Sequence, residues 1–377
     1  MTLPFSAAVP ASTPPPAPSL DPERLKSDVE QVLHTFLACK EESTTAGGRL
    51  PNVAAPLREF LDAGGKRIRP VLALVGWHAA GGTGGTGDPR TARHLAASLE
   101  LFHAFCLIHD DVMDRSTTRR GRPTVHRSQA HQYRRQHPHL AQQVPADRFG
   151  EGAAILIGDL AMVWSDELLH QGHPAPEQLA RILPLLDAMR TEVTLGQYLD
   201  LAHTGSDSPS VATALTVIRY KTAKYTVERP LQLGAALAGA DQTLLHGLSA
   251  YAIPLGEAFQ LRDDLLGVFG DPKVTGKPAL DDLREGKATV LIALALQHAS
   301  PAQADRLRLH LGCPTLTQHQ ADAARHIITA SGAHDMVNDM IAERYDQALA
   351  ALDGAPVDPA ASETLRHIAR QAVQRTA

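Results

Sequence analysis

Two long apolar stretches that each carry paired carboxylates constrain this chain more than any other feature. The first reads Leu107-Ile108-His109-Asp110-Asp111-Val112-Met113-Asp114-Arg115, with Arg119-Arg120-Gly121 close behind. The second reads Phe259-Gln260-Leu261-Arg262-Asp263-Asp264-Leu265-Leu266-Gly267. At roughly 100° per residue, Asp110 and Asp114 share one helix face and Asp111 flanks it. Three crowded acids repel one another, so keeping them ionised requires cations nearby. Oxygen ligands without His or Cys partners favour Mg²⁺ over zinc. The arginines suggest why a metal would be there, because guanidinium and magnesium together grip phosphate oxygens. Taken alone, either stretch also reads as a solvated acidic helix end. Two such pairs on buried helices of one bundle look instead like two walls of a metal-filled cavity.

The rest of the chain supplies that bundle. Apolar residues recur at three and four spacing from Asp21 onward. Segments near 52–63, 67–80, 88–114, 149–170, 176–202, 209–240 and 242–269 carry such faces, as do 286–299, 301–312, 318–331, 333–353 and 359–375. Alternating β-branched runs are nearly absent. The fold class expected is all-α, one large bundle of about a dozen helices spanning 22–377. Residues 1–21, rich in proline and containing Pro14-Pro15-Pro16, are expected to form a disordered tail. Breakers separate the helices at Gly81–Gly87, His137-Pro138, Thr204-Gly205-Ser206 and Gly276-Lys277-Pro278. Leu231–Ala240, LQLGAALAGA, is small and apolar on nearly every face and belongs at the bundle centre.

Composition removes several function classes. With 377 residues and a net charge of -5, the chain can bury a large core but carries no general attraction for nucleic acid. Cys39, Cys106 and Cys313 are odd in number and lack CxxC spacing, which fits a reducing cytoplasm and excludes a zinc ribbon. No apolar run reaches the roughly 18 residues of a transmembrane helix, and the amino end lacks the pattern of a signal peptide.

Cations cluster where an anion would need them. Gly64-Gly65-Lys66-Arg67-Ile68-Arg69-Pro70 sets two glycines and three cations at a helix start, which is a local cost to the helix dipole unless an anion binds. Gly276-Lys277-Pro278 and Asp281-Asp282-Leu283-Arg284-Glu285-Gly286-Lys287 read as a loop able to cover phosphates as a lid. Lys221-Thr222 lies in an apolar helix, where a lysine either snorkels or pairs with an anion. His109 reads as a helix-packing residue or one that supports a neighbouring ligand. His126, His131, His137 and His139 fall in a polar, arginine-rich stretch read as a solvated loop.

In this order, GGKRIRP, LIHDDVMD with RRG, GDL at 158–160, GQYLD at 196–200, KT at 221–222, FQLRDD and GK…DDLREGK resemble the trans-isoprenyl diphosphate synthase, or polyprenyl synthetase, family. The set covers about residues 55–290. The resemblance implies helices around a deep central cavity, a homodimer, and head-to-tail condensation of an allylic diphosphate with isopentenyl diphosphate. It implies Mg²⁺ ligands at Asp110, Asp114 and Asp263, three ions in all, with Asp111 and Asp264 in support. Lys66, Arg69, His103 and Arg120 match the isopentenyl diphosphate site. Arg119, Lys221, Thr222, Gln260, Lys277 and Lys287 match the allylic site, and Gln197 of GQYLD joins the substrate-binding set. Gly267 stands where many members have a third aspartate. Phe105 and Cys106, five and four before Asp110, resemble the chain-length positions of short-chain synthases making geranylgeranyl diphosphate. Farnesyl diphosphate is the nearest competitor, since an extra aromatic from another helix would cap the pocket earlier. A class I terpene cyclase or a head-to-head synthase would lack the GGKRIRP clamp, and a non-catalytic partner subunit would have lost motif acids.

Overall fold

Helical periodicity becomes helix almost wherever it was expected. A computed structural model describes residues 20–46, 51–82, 88–139, 145–206, 208–270 and 281–374. Helix α1 (Pro22–Thr45) starts where Asp21 accepts from the Glu23 amide at 3.0 Å, with Pro22 in its first turn. It is followed by α2 (Ala54–Asp62), α3 (Ile68–Ala79) and α4 (Pro89–Met113), which is capped by Asp88 in the same manner. A two-stranded hairpin pairs Thr118–Arg119 with Arg122–Pro123, and it is the only sheet among the described residues. Then come α5 (Val125–Gln136), α6 (Ala146–Gln171) and α7 (Pro176–His203). Next are α8 (Val211–Val217), a π-helical stretch (Ile218–Glu228), α9 (Arg229–Leu237) and α10 (Gln242–Phe269). Helices Val290–His298, Pro301–His310, Gln318–Ala330, Ala333–Gly354 and Pro359–Val373 complete the fold. The class is all-α, as expected. Residues 1–19, expected as a tail, most of the glycine run at 81–87, and residues 271–280, which hold the expected breaker Gly276-Lys277-Pro278, lie outside the described residues.

Two segments differ from expectation. The stretch around His126 is a helix, α5, with Val125, His126 and Ala130 buried. Its charged sequence hides a short apolar face that packs on α6, where Gly150 comes so close that a Cβ there would meet the His126 carbonyl at 2.2 Å. The single helix expected over 209–240 is interrupted by the π-helical turn. Pro230 supplies the reason: it cannot donate to the carbonyl four residues back, and its ring crowds that carbonyl, so the preceding turn widens to i→i+5 bonding.

The apolar segment after that turn lies at the centre, with Leu231, Leu233 and Ala235 fully buried. It crosses α3 backbone to backbone. A Cβ on Gly76 would meet the Leu231 carbonyl oxygen at 2.1 Å, and one on Gly234 would meet that of Ala73 at 1.7 Å. Both ends of the described fold also meet: the Leu20 amide donates to Thr364 Oγ1 at 3.0 Å, and that hydroxyl lies 3.1 Å from the Leu20 carbonyl. Among the described residues no helix is long and apolar enough to cross a membrane.

Candidate active site

A cleft of about 370 Å³ opens between α4, the hairpin, the π-helical stretch and the end of α10. Asp110, Asp111 and Asp114 line one wall and Asp263 and Asp264 line the other, with Arg119, Lys221, Thr222, Gln260 and Lys287 between them. The two acid pairs therefore face each other across one space.

Each side chain is aimed by its element. Asp110 accepts from Gln197 Nε2 of α7 at 2.9 Å and lies 3.4 Å from Lys221 Nζ. Burial opposes its ionisation, yet Lys221, Arg119 and Lys287 together hold its carboxyl below the usual range. Asp111 is fully buried and takes the Arg119 Nε on both oxygens, at 2.9 and 2.8 Å. It holds Arg119 in place at the cleft wall. Asp114 is pushed up to about 6, first by burial and then by the charge of Asp110. Lys287 Nζ lies 3.8 Å away. Burial counts against the charge of Lys221, but Asp110 and Asp200 raise its pKa, and Asp200 accepts its ammonium at 2.6 Å. The lysine is paired, not snorkelling.

The π-helical turn delivers Lys221 and Thr222 to the cleft. It can do so because glycines from both neighbours let the backbones touch. A Cβ on Gly196 would meet the Lys221 amide nitrogen at 2.6 Å, and one on Gly256 would meet the Ala223 Cα at 2.4 Å. Thr222 Oγ1 donates to Gln260 Oε1 at 2.8 Å, and Gln260 Nε2 donates to Asp264 at 2.8 Å. The hairpin delivers the arginines: Arg120 and Gly121 have φ of 53° and 73°, and a two-residue hairpin turn with positive φ at both central positions matches the strand twist.

A second cation cluster stands beside the cleft. His103 is held neutral well below its usual pKa by burial and by the guanidiniums of Arg69, Arg119, Arg120 and Arg67. Of these four, Arg67 is committed to buried Glu100 at 2.5 Å and to the Leu61 carbonyl at 2.6 Å, and Arg119 is committed to Asp111. Of the three cations of GGKRIRP, Arg67 turns inward and locks the turn into the core. Among the described residues Arg69 and Arg120 find only neutral acceptors, Thr226 Oγ1 at 2.6 Å and the Gly64 carbonyl. Lys66 is exposed at the edge. Two arginines and a neutral imidazole without a compensating carboxylate suit an anion.

The remaining expected positions fall into place around this site. His109 packs on α6: its Nε2 lies 3.0 Å from the Ile155 carbonyl and 3.6 Å from Asp159, and Gly158 makes room for its ring. Phe105 is partly buried and rests against Phe102 and His109, with ring centroids 5.4 and 4.7 Å apart. Cys106, its thiol pushed up to about 11 by burial, receives the Tyr225 hydroxyl at 3.6 Å. An aromatic from another helix thus fills the gap that a small residue at this position would leave. Lys277 lies outside the described residues. Asp200 and Glu285 were not singled out from sequence, although both stand inside quoted motifs, GQYLD and DDLREGK.

The donor set fits magnesium. Among the described residues no three His, Cys, Asp or Glu side chains stand close enough to hold a metal by themselves. Mg²⁺ usually takes one or two carboxylates and completes its shell with water and substrate phosphates. Opposed aspartates with open space between them match that habit.

Helices that present two aspartate walls, with cations lining the space between, suit a site for phosphate anions. Comparison carries this further. A family model described as polyprenyl synthetase matches residues 51–328. A geranylfarnesyl diphosphate synthase of Aeropyrum pernix is 33% identical over 312 residues, 82% of this chain and 89% of the relative. A geranylgeranyl diphosphate synthase of Mycobacterium tuberculosis is 32% identical over 339 residues, 89% of each. The solved geranylgeranyl pyrophosphate synthase of Corynebacterium glutamicum, complexed with isoprenyl diphosphate and magnesium, superposes with a TM-score of 0.89 at 40% identity, covering 94% of this chain and all of that one. The chain belongs to the polyprenyl synthetase family: it is a prenyltransferase with the isoprenoid synthase fold.

Proposed function

We propose that the enzyme condenses isopentenyl diphosphate head to tail with an allylic diphosphate in a magnesium-dependent reaction. The product assigned is geranylgeranyl diphosphate. The observation that carries the reading is the facing of the two aspartate pairs across one cleft, beside a second cluster in which Arg69 and Arg120 find only neutral acceptors among the described residues. Two anion sites suit two diphosphate substrates.

Asp110, Asp114 and Asp263 are assigned as the magnesium ligands, with three ions per site and Asp111 and Asp264 in support. Bound magnesium supplies electrostatic stabilisation of the departing diphosphate. Lys221, Arg119, Lys287 and Lys277 are assigned to the allylic diphosphate, where they neutralise charge as its carbon–oxygen bond breaks. The oxygens of Thr222 and Gln260 stand near the allylic cation. Lys66, Arg69, His103 and Arg120 are assigned to isopentenyl diphosphate, and holding that anion aims its double bond at the cation. Gln197 keeps Asp110 in register.

Product length follows from what closes the space below Asp110. Phe105 supports a stop at twenty carbons, and Phe105→Ala is expected to lengthen the product. The Tyr225 hydroxyl on Cys106 favours a second reading, farnesyl diphosphate, because it narrows that side earlier. A homodimer in a reducing cytoplasm completes the proposal. Support comes from the free thiols and from the apolar face of α6 and α7, where Leu156, Val163, Leu195 and Tyr198 are 56–70% exposed. The test is incubation with Mg²⁺, isopentenyl diphosphate and each of the five-, ten- and fifteen-carbon primers, followed by chain-length analysis. Turnover of an allylic substrate alone would indicate a cyclase, and failure of every primer would overturn the reading.

A further inference from the structure

The π-helical stretch reaches both anion sites. Lys221 and Thr222 face the aspartate cleft, while the next turn, Tyr225 and Thr226, meets the second cluster. Arg69 lies with its guanidinium carbon 4.2 Å from the Tyr225 ring centroid and donates through Nη2 to Thr226 Oγ1 at 2.6 Å. A carboxylate would have oriented that guanidinium and cancelled its charge. A ring face and a hydroxyl orient it and leave the charge available. Its Nε is buried without an acceptor, so the group is not saturated by its protein partners.

Tyr225 also touches His103. Its hydroxyl lies 3.4 Å from His103 Nδ1 and 3.6 Å from Cys106 Sγ. Burial pushes the phenol well above its usual range, so it stays a donor across the working pH. With the hydroxyl proton directed at Cys106 Sγ, the contact at Nδ1 holds the imidazole in place beside Arg69.

We propose that Tyr225 and Thr226 are positioning residues for the Arg69–His103 anion clamp, so that one π-helical stretch sets the geometry of both substrate sites. The inference rests on the assignment of that clamp to isopentenyl diphosphate. It adds two residues that the sequence motifs leave out, and it gives the widened helix a second task beyond presenting Lys221.

The test is steady-state kinetics of the full chain with Mg²⁺, isopentenyl diphosphate and farnesyl diphosphate, using Tyr225→Phe, Thr226→Val and Thr226→Ser. Phe keeps the ring under Arg69 and loses the hydroxyl, and Val keeps the shape of Thr. The expected result is a rise in KM for isopentenyl diphosphate of about fivefold for Tyr225→Phe and about tenfold for Thr226→Val, where a charged donor loses its acceptor. The KM for farnesyl diphosphate should stay within about twofold, and Thr226→Ser should restore wild-type KM. Should Tyr225→Phe fail to fold, the Val and Ser pair carries the test. An unchanged KM for isopentenyl diphosphate, or equal losses for both substrates with a lowered Tm, would overturn the inference. A wild-type enzyme that does not use isopentenyl diphosphate would instead overturn the assignment on which it rests.

Discussion

At the scale of single residues, the aspartates of the cleft do different jobs although they are the same amino acid. Asp111 is spent on Arg119, Asp110 is held ionised by three cations, and Asp114 is left with a pKa of about 6. An acid whose folded pKa lies above its unfolded value contributes stability that is present below about pH 4 and lost as pH rises through about 6. In the metal-free protein Asp114→Asn is therefore expected to raise stability by about 2 kcal/mol at pH 7.5 and by almost nothing at pH 4, read from urea unfolding at each pH. The same variant should lose nearly all turnover. A stability gain equal at both pH values would refute the charge argument. These carboxylates were legible in the sequence because acids inside an apolar helix are anomalous. Arg67 was not: three neighbouring cations give no sign of which one turns inward, and the acceptors around it, Glu100 on α4 with Glu30 and the Leu61 carbonyl, decide it.

At the scale of elements, the periodicity of three and four marked nearly every helix but could not register a change of pitch. Ile218–Glu228 keeps a helical pattern of apolar residues, and the clue to its widening was Pro230, just beyond it. The turn is held from both sides by close glycine contacts, and its start is tied down by Arg219 on buried Glu257, which also pairs with Arg344 at 2.7 Å. Helix α5 escaped notice for the opposite reason, since its apolar face is only a few residues wide. Close crossing is equally decisive where α9 meets α3. Replacing Gly234 by Ala would gain about 1 kcal/mol of helix propensity. It would also drive a Cβ into the Ala73 carbonyl, an overlap of backbone that cannot rotate away. Net destabilisation of about 2 kcal/mol or more is expected, seen as a Tm lowered by several degrees. A neutral effect would mean that α3 and α9 slide apart freely.

At the scale of the whole molecule, α6 and α7 leave an apolar face that the fold itself does not cover. Leu156, Val163, Leu195 and Tyr198 are large apolar side chains left 56–70% exposed on these two helices. Light scattering should report a dimer for the wild type, and the Leu156→Glu, Val163→Glu double change should give a monomer, because burying two unpaired carboxylates is prohibitive. A dimer that survives the change would place the interface elsewhere. The general architecture was readable from sequence; this face was not, since exposure is decided by packing. One further property follows from the hydrogen bonds between Leu20 and Thr364. From Thr364 to Val373 the last helix runs only about 14 Å, a span that a Gly/Ser linker of about ten residues covers. The order of helices along the chain is therefore separable from their arrangement in space. A circular permutant joined from Val373 to Leu20 and opened between Ala299 and Ser300 should fold to the same bundle and keep its cleft, with circular dichroism and turnover as the readouts.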